Sequence, residues 1–187
     1  MPGAFRYEGY AIVSADGMIA DADGRMPPAL LNPADQRFLS EALDRAAVLV
    51  HGRHSHEGHR NSPRRRRVVL SRRVGAIAAD PVAPHSVLWN PAGAPFSAAC
   101  EALGIAGGTA AILGGPEVYA QFLALGYERF LLSRVAELKL PGGLPIFGRG
   151  RPPADEALAA SGLTPAEPRW LDHEAGVSLT VWRKPAG

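Results

Sequence analysis

The feature that most constrains this chain is an alternation. Short apolar, β-branched-rich runs recur, each closed by a polar or glycine-bearing cluster and most followed by a helical pattern. Residues 10–13 run into Ser14-Ala15-Asp16-Gly17, residues 48–50 into His51-Gly52-Arg53-His54-Ser55, and residues 68–70 into Ser71-Arg72-Arg73. Residues 110–113 run into Gly114-Gly115-Pro116, and 87–89 and 130–132 read as further strands. Between them, Asn32-Pro33-Ala34-Asp35 is a helix start: Asn as N-cap, Pro in the first turn and an acid at the third position. Phe38, Leu39, Ala42, Leu43, Ala46 and Ala47 then mark one apolar helical face. Phe96, Ala99, Cys100 and Leu103 mark a second helix, and Val118, Phe122 and Leu123 a third that stops at Gly126. Strands apolar throughout and alternating with helices predict an α/β fold with a mostly parallel sheet. Residues 169–174 and 177–183 read as two strands about Ala175-Gly176, an antiparallel addition. Residues 141–169, rich in Gly and Pro, receive no assignment.

In such sheets ligands bind outside the carboxyl ends of the strands, where all of these polar clusters fall. A ligand-binding enzyme is therefore favoured over a scaffold. The length of 187 residues suits one domain over 1–187, and 47% hydrophobic against 20% charged content is ordinary for a globular chain. No apolar run approaches the ~18 residues of a membrane span. The first ten residues lack an apolar signal core, and Cys100 is the only cysteine, so a reducing cytoplasm is expected. The net charge is only +2, and Lys139 and Lys184 are the only lysines among 20 basic residues. Arginine grips phosphate and carboxylate in bidentate fashion, so its positions matter.

Gly114-Gly115-Pro116-Glu117 joins a strand to a helix, and two glycines let a backbone approach a ligand while the helix start attracts an anion. A plain tight turn explains the pair equally well, and Pro116 lacks an amide donor, so this is not a Walker loop. Arg53, Ser55, Ser71 and Arg72, at neighbouring strand ends, form a candidate grip for the 2′-phosphate of NADP; scattered surface arginines are the alternative. Asp35 needs no role beyond the helix dipole, yet a carboxylate at the mouth of the sheet also matches the N–C–N edge of a heterocycle. The run Arg64 to Arg67 has no interleaved aromatic residue, so nucleic acid is not expected; one arginine gripping an acidic substrate tail is the better functional reading. His51, His54, His56 and His59 cross a strand-to-helix corner that would splay them, and no metal is expected. No nucleophile elbow is present.

Taken in order, these segments resemble the dihydrofolate reductase superfamily. The carrying motifs are Ser14-Ala15-Asp16-Gly17-Met18-Ile19-Ala20, Met26-Pro27, Pro33-Ala34-Asp35, Val50-His51-Gly52-Arg53-His54-Ser55, Val68-Val69-Leu70-Ser71 and Ile112-Leu113-Gly114-Gly115-Pro116-Glu117-Val118-Tyr119. They stand in register over roughly residues 7–147. The resemblance implies a single domain with a central, mostly parallel eight-stranded sheet flanked by helices. It implies NADPH-dependent reduction of a dihydropterin, dihydrofolate or a modified form such as dihydromethanopterin, to the tetrahydro form.

By the same resemblance Asp35 binds the pterin's pyrimidine edge and supports ring protonation, and Ser133 hydrogen-bonds that acid. Ala11, Ile19 and Leu39 line the ring pocket, and Arg65 meets the substrate carboxylate. Arg53, His54, Ser55, Ser71 and Arg72 hold the phosphates of NADPH, while Gly114, Gly115 and Tyr119 form the cofactor loop and its aromatic neighbour. Two departures stand out. The tryptophan common after the Met-Pro of the mobile loop is absent, the chain reading Met26-Pro27-Pro28-Ala29, and Leu39 replaces a frequent phenylalanine. The riboflavin-pathway pyrimidine reductases share this superfamily and the Ser-Ala-Asp-Gly motif, so they remain the enzyme alternative, with a non-catalytic NADPH-binding member the other. The expected partners are a small pterin-like molecule and no membrane, in a monomer or homodimer.

Overall fold

The alternation of side chains between the two faces of each strand decides how the layers stack. In a computed structural model that describes residues 4–55 and 57–185, the elements run β1 (Phe5–Ser14), β2 (Met18–Ala20), α1 (Pro33–Arg45), β3 (Val48–Gly52), β4 (Arg67–Leu70), β5 (Ile77–Ala79), β6 (Ser86–Trp89), α2 (Phe96–Ala102), β7 (Gly108–Ile112), α3 (Pro116–Leu125), β8 (Arg129–Val135), β9 (Leu144–Pro145), α4 (Ala154–Ala160), β10 (Thr164–Pro165), β11 (Arg169–Asp172) and β12 (Val177–Arg183). Six strands, in the order β8-β1-β7-β3-β4-β6, are mutually parallel. The antiparallel β12 extends them beyond β8 and carries β10 and β11 on its outer side, while the antiparallel β5 closes the far edge. The sheet thus has ten strands rather than the expected eight. Segments such as Ile77–Ala79 and Thr164–Pro165 are too short to show a period and pair only at the rims. β2 and β9 form a separate two-stranded ribbon, so part of the unassigned stretch 141–169 is a strand and part is α4.

Successive residues face opposite layers, as the pleat requires. Leu49, Ala111, Leu131 and Leu179 pack with Ala42 and Leu43 of α1 on one face. Val48, Val50, Ala110, Ile112 and Leu132 pack on the other with Phe96 and Ala99 of α2, Val118 and Phe122 of α3, and Leu158 of α4. Both sheet faces are therefore covered, which explains the unbroken apolar runs of the sequence. Cys100 sits in this second layer, and burial pushes its thiol up to about 12. It is a packing residue with no thiolate to offer. No helix among the described residues is long and apolar enough to cross a membrane.

The first helix begins as its sequence dictates. The Asn32 side chain accepts hydrogen bonds from the backbone N–H groups of Ala34 (2.9 Å) and Asp35 (3.1 Å), and Pro33 opens the helix. Asn32 also donates to Asp172 at 3.0 Å, which ties the start of α1 to β11. That cap fixes the rotation of the first turn and directs Asp35 inward.

Candidate active site

A cleft of about 880 Å³ opens between α1 and the carboxyl ends of β3, β4 and β7. Its wall includes Ala11, Ile19, Leu39, Asp35 and Ser133 toward α1, and Arg53, His54, Ser55, Ser71, Arg72, Gly115 and Tyr119 toward the strand ends. Of the residues expected to hold substrate or cofactor, Gly114 and Arg65 fall outside it.

Asp35 is 5% exposed at the floor of the α1 side. Burial raises its carboxyl above the ordinary aspartate range, opposed by hydrogen bonding from Ser133 and the charge of His59. Ser133 reaches it because positions 131, 133 and 135 of β8 all face α1. Tyr119, 3% exposed, stands behind the acid and donates its hydroxyl to the Tyr10 carbonyl at 2.5 Å. With that proton committed, Tyr119 serves as an aromatic wall. Burial and the Asp35 charge both raise its phenol further.

The opposite end is built from turns. Gly52 donates its N–H to the Gly114 carbonyl at 2.7 Å, joining the ends of β3 and β7. Gly114 holds φ +90°, and a Cβ there would lie 2.4 Å from the Tyr119 ring, so only glycine fits. Gly114 is thus a backbone hinge for the wall rather than wall itself, and a cis peptide bond links it to Gly115. Gly115, the N-cap of α3, would bring a Cβ within 3.4 Å of Ser55 Oγ. Arg53, His54, Arg72 and Arg73 are exposed here. Arg72 pairs with Glu117 in the first turn of α3, and both side chains stay largely open to solvent.

Arg65, expected to meet a substrate carboxylate, does not line the cleft. It is 7% exposed, and its guanidinium binds Asp44 Oδ1 at 2.7 Å and the Ser40 carbonyl at 3.1 Å, with Glu57 Oε2 at 3.0 Å. Arg67, 8% exposed, shares the same Glu57 and donates to Ser62 Oγ at 2.6 Å. Burial alone would raise the Glu57 carboxyl, but Arg67, the His59 backbone N–H and Ser62 hold it down to about 2. It is an ion at neutral pH. Two alternate arginines of a four-residue basic run are thus consumed by intramolecular carboxylates.

Sequence reasoning missed Glu57 and Gln36, which line the cleft; His59, considered there only as a metal ligand, bridges them. His59 Nε2 lies 2.9 Å from Gln36 Oε1, and Nδ1 lies 2.9 Å from Glu57 Oε2, off the hydrogen-bonding direction. No local pattern marks Glu57 or Gln36: Glu57 is held by Arg65 and Arg67 of the basic run, and Gln36 of α1 meets His59 only across the fold. Of the candidate metal histidines, His51 contacts the Gly52 carbonyl (2.7 Å) and Arg67 (3.3 Å), and His56 lies outside the described residues. Among the described residues no group of three or more His, Cys, Asp or Glu is placed to hold a metal.

No family model and no curated protein sequence matches the chain. Solved structures do. A putative riboflavin biosynthesis protein from Shewanella sp. PV-4 aligns with TM-score 0.66 and 19% identity over 97% of this chain and 99% of its own. Dihydrofolate reductase from Enterococcus faecalis, complexed with NADP(H) and RAB-propyl, aligns with TM-score 0.63 and 15% identity over 97% of both chains.

The chain has the dihydrofolate reductase fold. A diaminohydroxyphosphoribosylaminopyrimidine deaminase/5-amino-6-(5-phosphoribosylamino)uracil reductase from Thermotoga maritima shares it at TM-score 0.64 and 15% identity, and this chain spans 57% of that protein's length. In this dihydrofolate-reductase-like fold the order of motifs read from the sequence coincides with the order of segments around the cleft. The loop 21–31 forms part of the rim: Asp21 Oδ1 accepts from the Asp23 and Arg25 N–H groups at 3.0 and 2.9 Å. Met26 and Leu31, 45% and 53% exposed, face the opening. Exposed apolar side chains at a cavity mouth are what a bound ligand would cover.

Proposed function

We propose that residues 1–187 form one NADPH-dependent reductase domain that reduces a dihydropterin to its tetrahydro form. The observation that carries this reading is Asp35: a buried carboxyl with a raised pKa, backed by Ser133, at the floor of a cleft with an apolar α1-side wall. A buried acid in a concave apolar site is the pattern expected of a group that handles charge or protons on a ligand. The amidine-like N–C–N edge of a pterin offers two donors in the geometry that a carboxylate accepts.

The other end of the cleft suits the cofactor. Arg53, His54, Ser55, Ser71 and Arg72 would hold its phosphates, and Gly115 lets the backbone come close beside Ser55. NADPH supplies the hydride. Asp35 anchors the ring edge and, because burial favours its neutral form, can share a proton with the ring and make its C=N bond a better acceptor. Ser133 limits how far that pKa rises. Ala11, Ile19 and Leu39 keep the ring dry and flat, and Tyr119 walls the site behind Asp35.

A pyrimidine reductase of the riboflavin type is the second reading, and the commitment of Arg65 to Asp44 and Glu57 favours it by removing the expected clamp for a folate tail. Following NADPH absorbance with dihydrofolate, a tailless dihydropterin and the ribosylaminopyrimidine in parallel tests both. Oxidation with a dihydropterin, abolished by Asp35→Asn, is expected. Turnover of the pyrimidine alone, unaffected by Asp35→Asn, would replace the first reading by the second.

A further inference from the structure

The arginines that line the cleft are gathered at one end of it. Arg53, Arg72 and Arg73, with His54 beside them, all follow β3 or β4 at the strand-end side, where the exposed Glu117 pairs with Arg72. On the α1 side the ionisable wall residues among those described are Asp35 and Glu57. Arg65 and Arg67 lie behind Glu57 and turn inward onto it, so they neutralise a carboxylate rather than present a charge to a ligand. His59 is held against the same Glu57 and against Gln36. Arg169 stands over the Phe38 ring, 5.5 Å from its centroid, and is not part of the wall. The remaining α1-side surface is largely apolar, with Ile19, Leu31, Phe38 and Leu39, and its neutral polar groups include the Gln36 amide and the Ser133 hydroxyl.

An anionic group on the substrate would meet this wall at a cost. A carboxylate or phosphate leaving water needs a guanidinium or several N–H donors to replace its hydration. Here it would find only the outward side of the Glu57 carboxylate, whose two guanidiniums are turned onto it from behind, and, among the described residues, no free guanidinium at the wall. The nearest guanidiniums cannot turn without stripping Glu57 of its buried partners, and breaking a buried pair is strongly destabilising. The neutral Gln36 amide can still serve a hydroxyl or amide.

We propose that the α1 side of the cleft selects a neutral N-heterocycle, one whose ring substituent carries neither carboxylate nor phosphate. The inference rests on the reductase reading above and narrows its substrate class. It separates this chain's substrate from any tail that needs an arginine clamp.

The test compares matched pairs on the full chain with saturating NADPH. One pair is hydroxymethyl-dihydropterin against dihydrofolate; the other is a ribosylaminopyrimidine nucleoside against its phosphate ester. The neutral member of the reduced pair is expected to have the higher kcat/KM by about tenfold or more, the effect of one missing charged clamp. Asp44→Asn, which removes one partner of Arg65 outside the cleft, is expected to narrow that ratio. Equal rates, or preference for the anionic member, would overturn the inference while leaving a reductase. NADPH oxidation with no member of either pair would overturn the reductase reading and this inference with it.

Discussion

The arginines of one short segment behave in opposite ways. Arg53 and Arg72 stand in solvent at strand ends, Arg72 with only the exposed Glu117 for company. Arg65 and Arg67, between them in sequence, are buried and bound to Glu57, with Asp44, Ser40 and Ser62 completing their donors. The guanidinium chemistry is identical; position relative to the sheet decides its use. Side chains beyond the carboxyl end of a parallel strand have no layer over them, whereas Arg67 starts β4 beneath the α1 layer and must find its counter-ion inside. An arginine becomes available to a ligand only where the fold leaves it unpaired or pairs it in water, where an ion pair is weak.

The sharpest break between the two regions comes from Asp35. Asp35→Asn is expected to lower kcat/KM for a dihydropterin by about 100- to 10,000-fold while leaving the Kd for NADPH unchanged in a fluorescence titration. A parallel loss of NADPH affinity would place Asp35 in the wrong half of the cleft. The same variant should be more stable than the parent at neutral pH. The Asp35 pKa is raised in the fold, so its ionised form costs stability once the pH exceeds that raised value, and the cost is absent below 3.8. A thermal melt at neutral and acid pH measures the difference, which should close in acid.

Next in size is the buried ion cluster. Glu57→Gln leaves two buried guanidiniums short of a counter-charge and should cost about 3–5 kcal/mol in denaturant unfolding. The Glu57 pKa is depressed in the fold, so its contribution is present above 4.5 and is lost as the pH falls toward about 2. Acid unfolding of the parent should therefore carry a component in that window that the variant lacks.

At the exposed end the effects are smaller and fall on ligand binding. Arg72→Ala should weaken NADPH by about tenfold and spare NADH, the loss of one charge-assisted contact to the extra phosphate. Glu117→Gln should do the reverse by a few-fold, because the carboxylate competes with phosphate for Arg72 and an exposed pair is worth about 0.2–1 kcal/mol. Both shifts should shrink in high salt. Equal effects on NADH and NADPH would remove Arg72 from the 2′-phosphate site.

The layered α/β plan was legible in the sequence because unbroken apolar runs such as 48–50 and 110–113 require cover on both faces, and the helices between them supply it. The start of α1 was legible to the residue, since Asn32-Pro33 is a local device whose hydrogen bonds close within three positions. So were the strand-end polar clusters that became one end of the cleft. The edge strands β5 and β10 were not, because two or three residues carry no periodicity and form only where a partner's edge is already in place.

By itself the sequence determined the fold class, the order of segments around the cleft and the candidacy of Asp35. Only the tertiary structure decided which charges are free. Pairing depends on groups far apart in the chain: Asp44 and Ser40 of α1 capture Arg65, and Ser133 of β8 comes to Asp35 across the face of the sheet. Electrostatic partnership is set by distance through space and by burial, neither of which is encoded locally. The four-arginine run, the most conspicuous anion grip in the sequence, therefore contributes two of its members to holding the protein together.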